Sequence, residues 1–217
     1  MATGGIVDVG RQRPPVPPED VSVPPGEGTV TAAATPSRRG ERRGMRWRKA
    51  LIALTVIFAT FCAATARLFI WPAQGVPPWV SAIVMVDGPG GGALSVAMRL
   101  AAQHRAAFLV ISRGTVAADD PCPRPVAGVT LICFNPAPPT TQGEAEFVGR
   151  LANRYHWRSV AVVAITPQAW RARLRVERCF AGQVYAVAAP IRAAMWPYQI
   201  AYEWGALVKA LVIQRGC

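Results

Sequence analysis

The sequence predicts an α/β fold with a mostly parallel five-stranded sheet, preceded by one transmembrane helix. Short apolar runs rich in β-branched residues recur along the second half of the 217-residue chain. Stretches with helical apolar spacing separate these runs, and one long uncharged segment precedes them all. Because the strands alternate with helices, we expect parallel pairing with helices on both faces of the sheet.

The uncharged segment covers residues 50–66, and the apolar run continues over residues 68–71 beyond Arg67. This length is sufficient for a helix to span a bilayer. Residues 64–66 resemble a signal-peptidase site, but the preceding segment is long for a signal peptide, which favours an uncleaved signal anchor. The positive-inside rule then predicts a single-pass cell-membrane protein with a cytoplasmic N-terminus. The cations that precede the span are Arg38, Arg39, Arg42, Arg43, Arg46, Arg48 and Lys49.

The N-terminal segment is dominated by Pro, Gly, Ser and charged residues, which cannot bury enough apolar surface to fold. The chain carries a net charge of +12, but basic residues are almost all Arg, which is typical of a GC-rich coding bias and weakens the case for a polyanionic partner. We therefore predict a disordered Pro/Arg-rich cytoplasmic tail over 1–48, a transmembrane anchor over 49–71, a linker over 72–80 and an extracytoplasmic α/β domain over 81–217.

Four cysteines lie beyond the span: Cys122, Cys133, Cys179 and Cys217. None belongs to a CxxC motif and the chain has two His, so we predict no metal site. An even number of cysteines outside the cytoplasm suggests two disulfides, for which three pairings are possible. Cys122 and Cys133 flank a short Pro-rich loop and can meet locally, which would leave Cys179 with Cys217.

Ligands of open parallel sheets bind beyond the carboxyl ends of the strands. The predicted strands put residues 87–92, 112–114, 136–144 and 166–171 at this edge. The glycine run over 88–92 has two possible interpretations. It forms either a loop whose backbone amides approach an anionic ligand, or a flexible turn between a strand and a helix. The Thr-Thr pair before Glu144 is typical of a helix N-terminus.

Three segments in this order resemble the YdcF/SanA/ElyC-like family: SAIVMVDGPGGGALSVAMRLA, FLVISRG, and the stretch from TTQGEAEF to RVERCF. The resemblance covers roughly residues 80–210. It implies a Rossmann-like three-layer sandwich, anchored to the membrane and facing the outside. It also implies a role in cell-envelope maintenance, through peptidoglycan or lipid-carrier metabolism, without assigning one reaction.

The resemblance carries over to individual residues of the predicted edge. Five positions depart from the family pattern: Ser81 replaces an Asp, Asp87 and Arg113 each replace a Gly, Ala93 replaces an Arg, and Gln168 replaces a His. The last change removes proton transfer at that position. The resulting ligand-binding prediction comprises Asp87, Gly88, Ser112, Gly114, Thr141, Glu144, Arg171 and Glu203.

Four arginines occur within residues 165–180. Outside the membrane this segment would not meet nucleic acid, so we predict no nucleic-acid partner. Arg171 begins a helix at the sheet edge and is the candidate ligand contact, or a structural partner of Glu144 or Glu203. Arg173, Arg175 and Arg178 are expected to form a solvated or headgroup-facing surface.

Three function classes remain open from the sequence. The first is a membrane-anchored protein that binds an anionic cell-wall or lipid-carrier ligand at the sheet edge. The second is a transferase or hydrolase acting on such a ligand, with Glu144 or Asp87 as the acid/base group. The third is a non-catalytic module whose proline-rich tail binds a partner protein. A nucleotide cofactor is not expected outside the cell, and the sequence otherwise leaves the cofactor unknown and enzyme activity undecided.

Overall fold

Strands and helices alternate in the structure as the apolar pattern predicts. The computed structural model describes residue 15 and residues 38–75, 79–88, 92–114 and 122–217. The strands are Val80–Met85 (β1), Ala106–Ser112 (β2), Thr130–Phe134 (β3), Ser159–Ile165 (β4) and Gln183–Ala189 (β5). The helices are Arg38–Thr65 (α1), Gly92–Ala102 (α2), Thr141–Tyr155 (α3), Ala169–Cys179 (α4) and Trp196–Val212 (α5).

The sheet has the order β3-β2-β1-β4-β5, and every neighbouring pair is parallel. Val84 of β1 pairs with Val110 of β2 on one side and with Val162 of β4 on the other. The chain first builds outward from β1 through β2 to β3, and then returns to build outward through β4 to β5. This all-parallel, Rossmann-like sheet with flanking helices confirms the predicted fold class. The reversal of order between β1 and β4 creates a crevice at the carboxyl edge.

Two apolar layers enclose the sheet. One layer packs α2 against residues such as Ile83, Leu109 and Val163. The other packs α3 and α4 against the alternate residues, including Val84 and Val162. Successive side chains of β4 therefore enter opposite layers. This explains why β4 is apolar throughout rather than alternating with polar residues.

Helix α1 and the π-helical turn after it contain a segment, Met45–Ile70, that is long and apolar enough to cross a membrane by its length and composition. It is the one such segment within the described ranges. The helix begins at Arg38, inside the segment predicted as a tail, and closes with a π-helical turn over Ala66–Ile70. The remainder of the predicted tail, residues 1–14 and 16–37, lies outside the described residues, as does part of the predicted linker, residues 76–78.

The end of α1 packs on α5 through aromatic side chains. Phe61 stacks on Trp204 with ring centroids 5.1 Å apart, and Phe69 meets the same indole edge-on at 5.2 Å. The Trp204 Nε1 group also donates a hydrogen bond of 3.2 Å to Thr65 Oγ1. Phe69 is fully buried. The end of α1 and the α/β fold are thus joined by a specific contact.

Disulfides join Cys122 to Cys133 and Cys179 to Cys217, which confirms the predicted pairs. The second disulfide closes a loop of 38 residues that contains β5 and α5. Cross-linking such a loop removes conformational entropy from the unfolded chain. Cys62 in α1 is a free, exposed thiol.

We expect Cys217→Ser to lower the free energy of unfolding by about 2–4 kcal/mol, because the unfolded chain then regains the loop's freedom. Denaturant unfolding of the full chain in detergent measures this difference. Cys62→Ser is the matched control and should leave the unfolding free energy within about 0.5 kcal/mol of the parent. Equal midpoints for both variants would contradict the prediction.

Candidate functional site

A cavity of about 690 Å³ opens at the carboxyl edge of the sheet, where the strand order reverses between β1 and β4. Its walls come from the residues after β1, β2 and β4, from the start of α3, and from α5. All eight residues of the ligand-binding prediction line this cavity. They are Asp87, Gly88, Ser112, Gly114, Thr141, Glu144, Arg171 and Glu203. Most of the glycine run, residues 89–91, lies outside the described residues.

Glu144 connects the start of α3 to the end of β1. Thr140 caps α3 by accepting a hydrogen bond of 3.2 Å from the Gly143 amide, and this cap places Glu144 in the first turn. The Asp87 backbone amide donates a 2.8 Å hydrogen bond to Glu144 Oε1. The Glu144 side chain is thereby held inside the fold, with 4% of the residue exposed.

Two carboxyl groups of the cavity, those of Glu144 and Asp87, have a pKa above their ordinary value. Burial raises the pKa of Glu144 to about 7, although the Ser112 hydroxyl and the Asp87 amide partly offset the effect. Burial also raises the pKa of Asp87, against the opposing effect of the Gly88 amide. Glu144 can therefore exist in either protonation state near neutral pH, as a general acid or base requires.

Gly114 allows the loop after β2 to approach the Asp87 carboxylate. Its φ of +49° lies in the left-handed region that favours glycine. A Cβ atom at this position would overlap Asp87 Oδ2. Gly114, which matches the last glycine of the Ser-Gly-Gly pattern, is therefore required because Asp87 after β1 occupies the space of a side chain.

Arg171 forms a buried bidentate ion pair with Glu203. The Arg171 Nε and Nη2 atoms lie 2.6 and 2.8 Å from the two Glu203 oxygens, and Nη1 donates to Thr141 Oγ1 at 2.9 Å. Burial alone would lower the pKa of Arg171, but the hydrogen bonds and charge of Glu203 outweigh burial and raise it. The structure thus pairs Arg171 with Glu203, one of the two partners considered from the sequence.

The expectation that Arg175 and Arg178 form a solvated surface is wrong. Arg175 is buried and donates to the carbonyl oxygen and Oε1 of Gln214, at 2.5 and 2.6 Å. Arg178 donates to the Ala210 and Gln214 carbonyls. The cause is the C-terminal segment, which the Cys179–Cys217 disulfide brings over this face of α4. Arg173 alone keeps the expected surface position, in an exposed pair with Glu177.

Arg175 is a buried cation whose charge no neighbour balances. Within the described part of the chain, no carboxylate lies at ion-pair distance from its guanidinium. Its Nε atom is buried without a hydrogen-bond partner, and the side chain lines the cavity. Burial and the neighbouring charges of Arg178 and Arg171 lower the pKa of Arg175.

Two further polar atoms are buried in the cavity wall without a hydrogen bond of regular geometry, Ser112 Oγ and Gln168 Oε1. Ser112 Oγ lies beside the Glu144 carboxyl closely enough to lower its pKa, but not in good bonding geometry. Gln168 Nε2 donates a hydrogen bond of 3.1 Å to the Asp87 carbonyl, which fixes the orientation of the side-chain amide. The Oε1 atom of the same amide has no hydrogen-bond partner. Buried polar groups are normally paired, so these atoms indicate where a ligand would bond.

Sequence reasoning missed the residues that α5 contributes, apart from Glu203. Tyr198, Gln199, Tyr202 and Lys209 also line the cavity. Gln199 precedes Glu203 by one helical turn, but nothing in the sequence indicated which face of α5 covers the sheet edge. Ala93, where the family pattern would have an Arg, lines the cavity too, as does Arg113. Over the described ranges, no three His, Cys, Asp or Glu side chains gather in a way that could hold a metal ion.

Comparisons with known proteins leave the family of this chain open. No family model matches the sequence. No curated protein matches either. Among solved structures, the chain is similar to glycinamide ribonucleotide transformylase 1 from Symbiobacterium toebii, with 15% sequence identity and a TM-score of 0.29. The match covers 49% of this chain and 50% of that one, so the chain spans about half the length of this neighbour.

The two ion pairs of α4 should differ sharply in their importance. We expect Glu203→Gln to reduce the free energy of unfolding by about 3–5 kcal/mol, because it leaves the Arg171 charge buried and unpaired. Glu177→Gln removes an exposed pair on the same helix and should cost about 1 kcal/mol or less. Denaturant unfolding of both variants measures the contrast. Similar losses would show that the Glu203 pair is not a structural requirement.

Glu144 should make stability depend on pH. Because its folded-state pKa of about 7 exceeds the ordinary value of 4.5, the folded protein binds this proton more tightly than the unfolded chain. The free energy of unfolding should therefore fall as the pH rises from about 4.5 to 7, by on the order of 3 kcal/mol from this group. Glu144→Gln stays neutral and should lose this component. Parallel stability curves for parent and variant would refute the assignment.

Proposed function

We propose that this protein is anchored in the cell membrane and binds an anionic envelope ligand, a cell-wall or lipid-carrier fragment, in the cavity at the carboxyl edge of its sheet. The observation that carries the proposal is the unbalanced buried cation Arg175 in the cavity wall. A buried charge without a counter-charge is costly, and a ligand anion at this position would remove that cost.

The balance of charges around the cavity supports an anion. Among the described residues that line the cavity, the cations are Arg113, Arg171, Arg175 and Lys209, and the carboxylates are Asp87, Glu144 and Glu203. Glu203 is already engaged by Arg171, and Glu144 is about half protonated near pH 7. Of these described groups, Arg175 and Lys209 outweigh Asp87 and the half-ionised Glu144 even when Arg113 is left out of the balance. Guanidinium groups suit phosphate and carboxylate because they present several donors in a fixed plane.

The unpartnered polar atoms indicate what else the ligand carries. Gln168 Oε1 can only accept a hydrogen bond, so it requires a hydroxyl or amide donor from the ligand. Ser112 Oγ can donate or accept. An anionic group beside hydroxyl or amide donors describes phosphorylated and acidic amino sugars. This chemistry agrees with the envelope role that the resemblance to the YdcF/SanA/ElyC-like family implies.

The proposed topology places the N-terminus in the cytoplasm and the α/β domain outside. It is supported by the seven Arg and Lys residues before the apolar segment of α1. It is also supported by the two disulfides, which persist outside the cytosol.

A second candidate function is transfer or hydrolysis on such a ligand. It is favoured by the Glu144 carboxyl, whose pKa of about 7 suits proton transfer near neutral pH, and by the adjacent Asp87. Release of phosphate from undecaprenyl diphosphate or of sugar from wall fragments would support it. If the protein has this catalytic function, the Glu144→Gln variant should lose turnover and keep its affinity for the ligand. Binding without turnover would leave the binding function alone.

The binding proposal predicts a contrast between two arginines of α4. With undecaprenyl phosphate or N-acetylglucosamine 1-phosphate as probe, Arg175→Gln should weaken affinity about tenfold or more, the value of a charge-assisted hydrogen bond. Arg173→Gln, on the exposed side of the same helix, should change it less than about twofold. Thermal stabilisation of the full chain in detergent reports both, and unliganded melting controls for lost folding. No stabilisation by any probe would favour a partner-binding module.

A further inference from the structure

We infer that α5 is a membrane-docking helix, whose exposed apolar face lies in the lipid of the bilayer that α1 enters. This inference concerns the position of the α/β domain on the membrane and does not depend on what the cavity binds. It starts from the face of α5 opposite the sheet. Six large side chains on this helix and the residue after it are exposed: Tyr198, Tyr202, Val208, Leu211, Val212 and Ile213.

These side chains are too exposed and too apolar for an ordinary solvated helix. Val208 is 55% exposed and Ile213 is 74% exposed. The one acidic residue of α5, Glu203, is buried against Arg171, so no negative charge remains on the outer face. Lys209 is exposed on that face, and Arg192 and Arg215 are exposed just beyond the two ends of the helix. Apolar surface with tyrosines and flanking cations is the pattern of a helix at a membrane interface.

The contact between α1 and α5 identifies the bilayer as the occupant. A hydrocarbon core of about 30 Å needs about 20 helical residues, and counting from Ala50, the first residue after Lys49, this stretch ends at Phe69. Phe61 and Phe69 are the residues that pack on Trp204 of α5, and Thr65 between them accepts its indole hydrogen bond. The last turns of the membrane-crossing stretch are therefore in contact with α5.

The apolar face continues directly from this contact. Val208 lies one helical turn beyond Trp204 on the same side of α5, and Val212 lies one turn further. A helix that touches α1 at the depth of Phe61–Phe69 places these neighbours at the boundary between headgroups and acyl chains. Tyr198, Tyr202 and Lys209 border both this face and the cavity, so docking would hold the cavity at the membrane surface.

The test measures how deep α5 lies in lipid, using the full chain in nanodiscs of phosphatidylcholine and phosphatidylglycerol. Cys62→Ala removes the free thiol, and Val208→Cys or Val212→Cys then accepts a nitroxide label while both disulfides stay intact. Asn153→Cys is the control, since Asn153 is exposed near the end of α3, at the amino edge of the sheet away from the cavity. Accessibility to oxygen and to a polar nickel complex is measured at each label.

Labels at positions 208 and 212 should be several-fold more accessible to oxygen than to the nickel complex, relative to the label at 153. Nickel accessibility equal to that at 153 would overturn the inference. So would protection from both reagents together with spin–spin broadening, which would show a second copy of the chain covering this face. Val208→Asp is combined with the label at position 212 as a further check. A carboxylate at position 208 should move α5 out of the lipid, so the accessibility of the label to the nickel complex should rise.

Discussion

The ion pair between Arg171 and Glu203 connects the parts of this protein on which its candidate site depends. It joins α4 to α5 and, through Thr141, reaches the first turn of α3. On the cavity side, this pair is the charged attachment of α5 to the crevice that the strand order creates, and Arg178 adds a hydrogen bond to the Ala210 carbonyl further along α5. Both partners are almost fully buried, so each charge depends on the other for its counter-charge. The cavity is consequently a packed assembly of three helices around one pair of charges.

Arg171 is engaged by Glu203 and Thr141, so the charge and the titratable groups that the cavity offers come from the residues around it. Arg175 lies one turn further along α4, held by the C-terminal segment through neutral carbonyl and amide oxygens. Neutral partners orient a guanidinium without cancelling its charge. Glu144 and Asp87 occupy the opposite wall, where burial holds back their ionisation. One side of the cavity therefore presents positive charge, and the other presents carboxyl groups able to hold a proton.

The position of α5 relates this cavity to helix α1. The same helix supplies Glu203 to the ion pair on one side and Trp204 to the aromatic contact with α1 on another. Adjacent residues on a helix point about 100° apart, so one helix can serve both contacts. The end of α1 is thus connected to the cavity through two adjacent residues of α5.

Local patterns in the sequence determined much of this structure. The apolar β-branched runs predicted all five strands, because a parallel sheet covered on both faces excludes polar residues from its strands. The strand ends then indicated the edge to which Asp87, Ser112, Glu144 and Arg171 belong, since parallel strands deliver their ends to one edge. The two cysteine pairs followed from one short loop and from the two cysteines that remained.

Only the tertiary structure decided the roles of the arginines and of α5. Helical spacing put Arg171, Arg175 and Arg178 on one face, but it could not reveal that the C-terminal segment covers that face. Burial of a charged side chain depends on what packs over it, which is a long-range property. The same reason applies to Tyr198, Lys209 and Trp204. Their sequence context is an amphipathic helix, and its contacts with the sheet edge and with α1 exist only once the chain has folded.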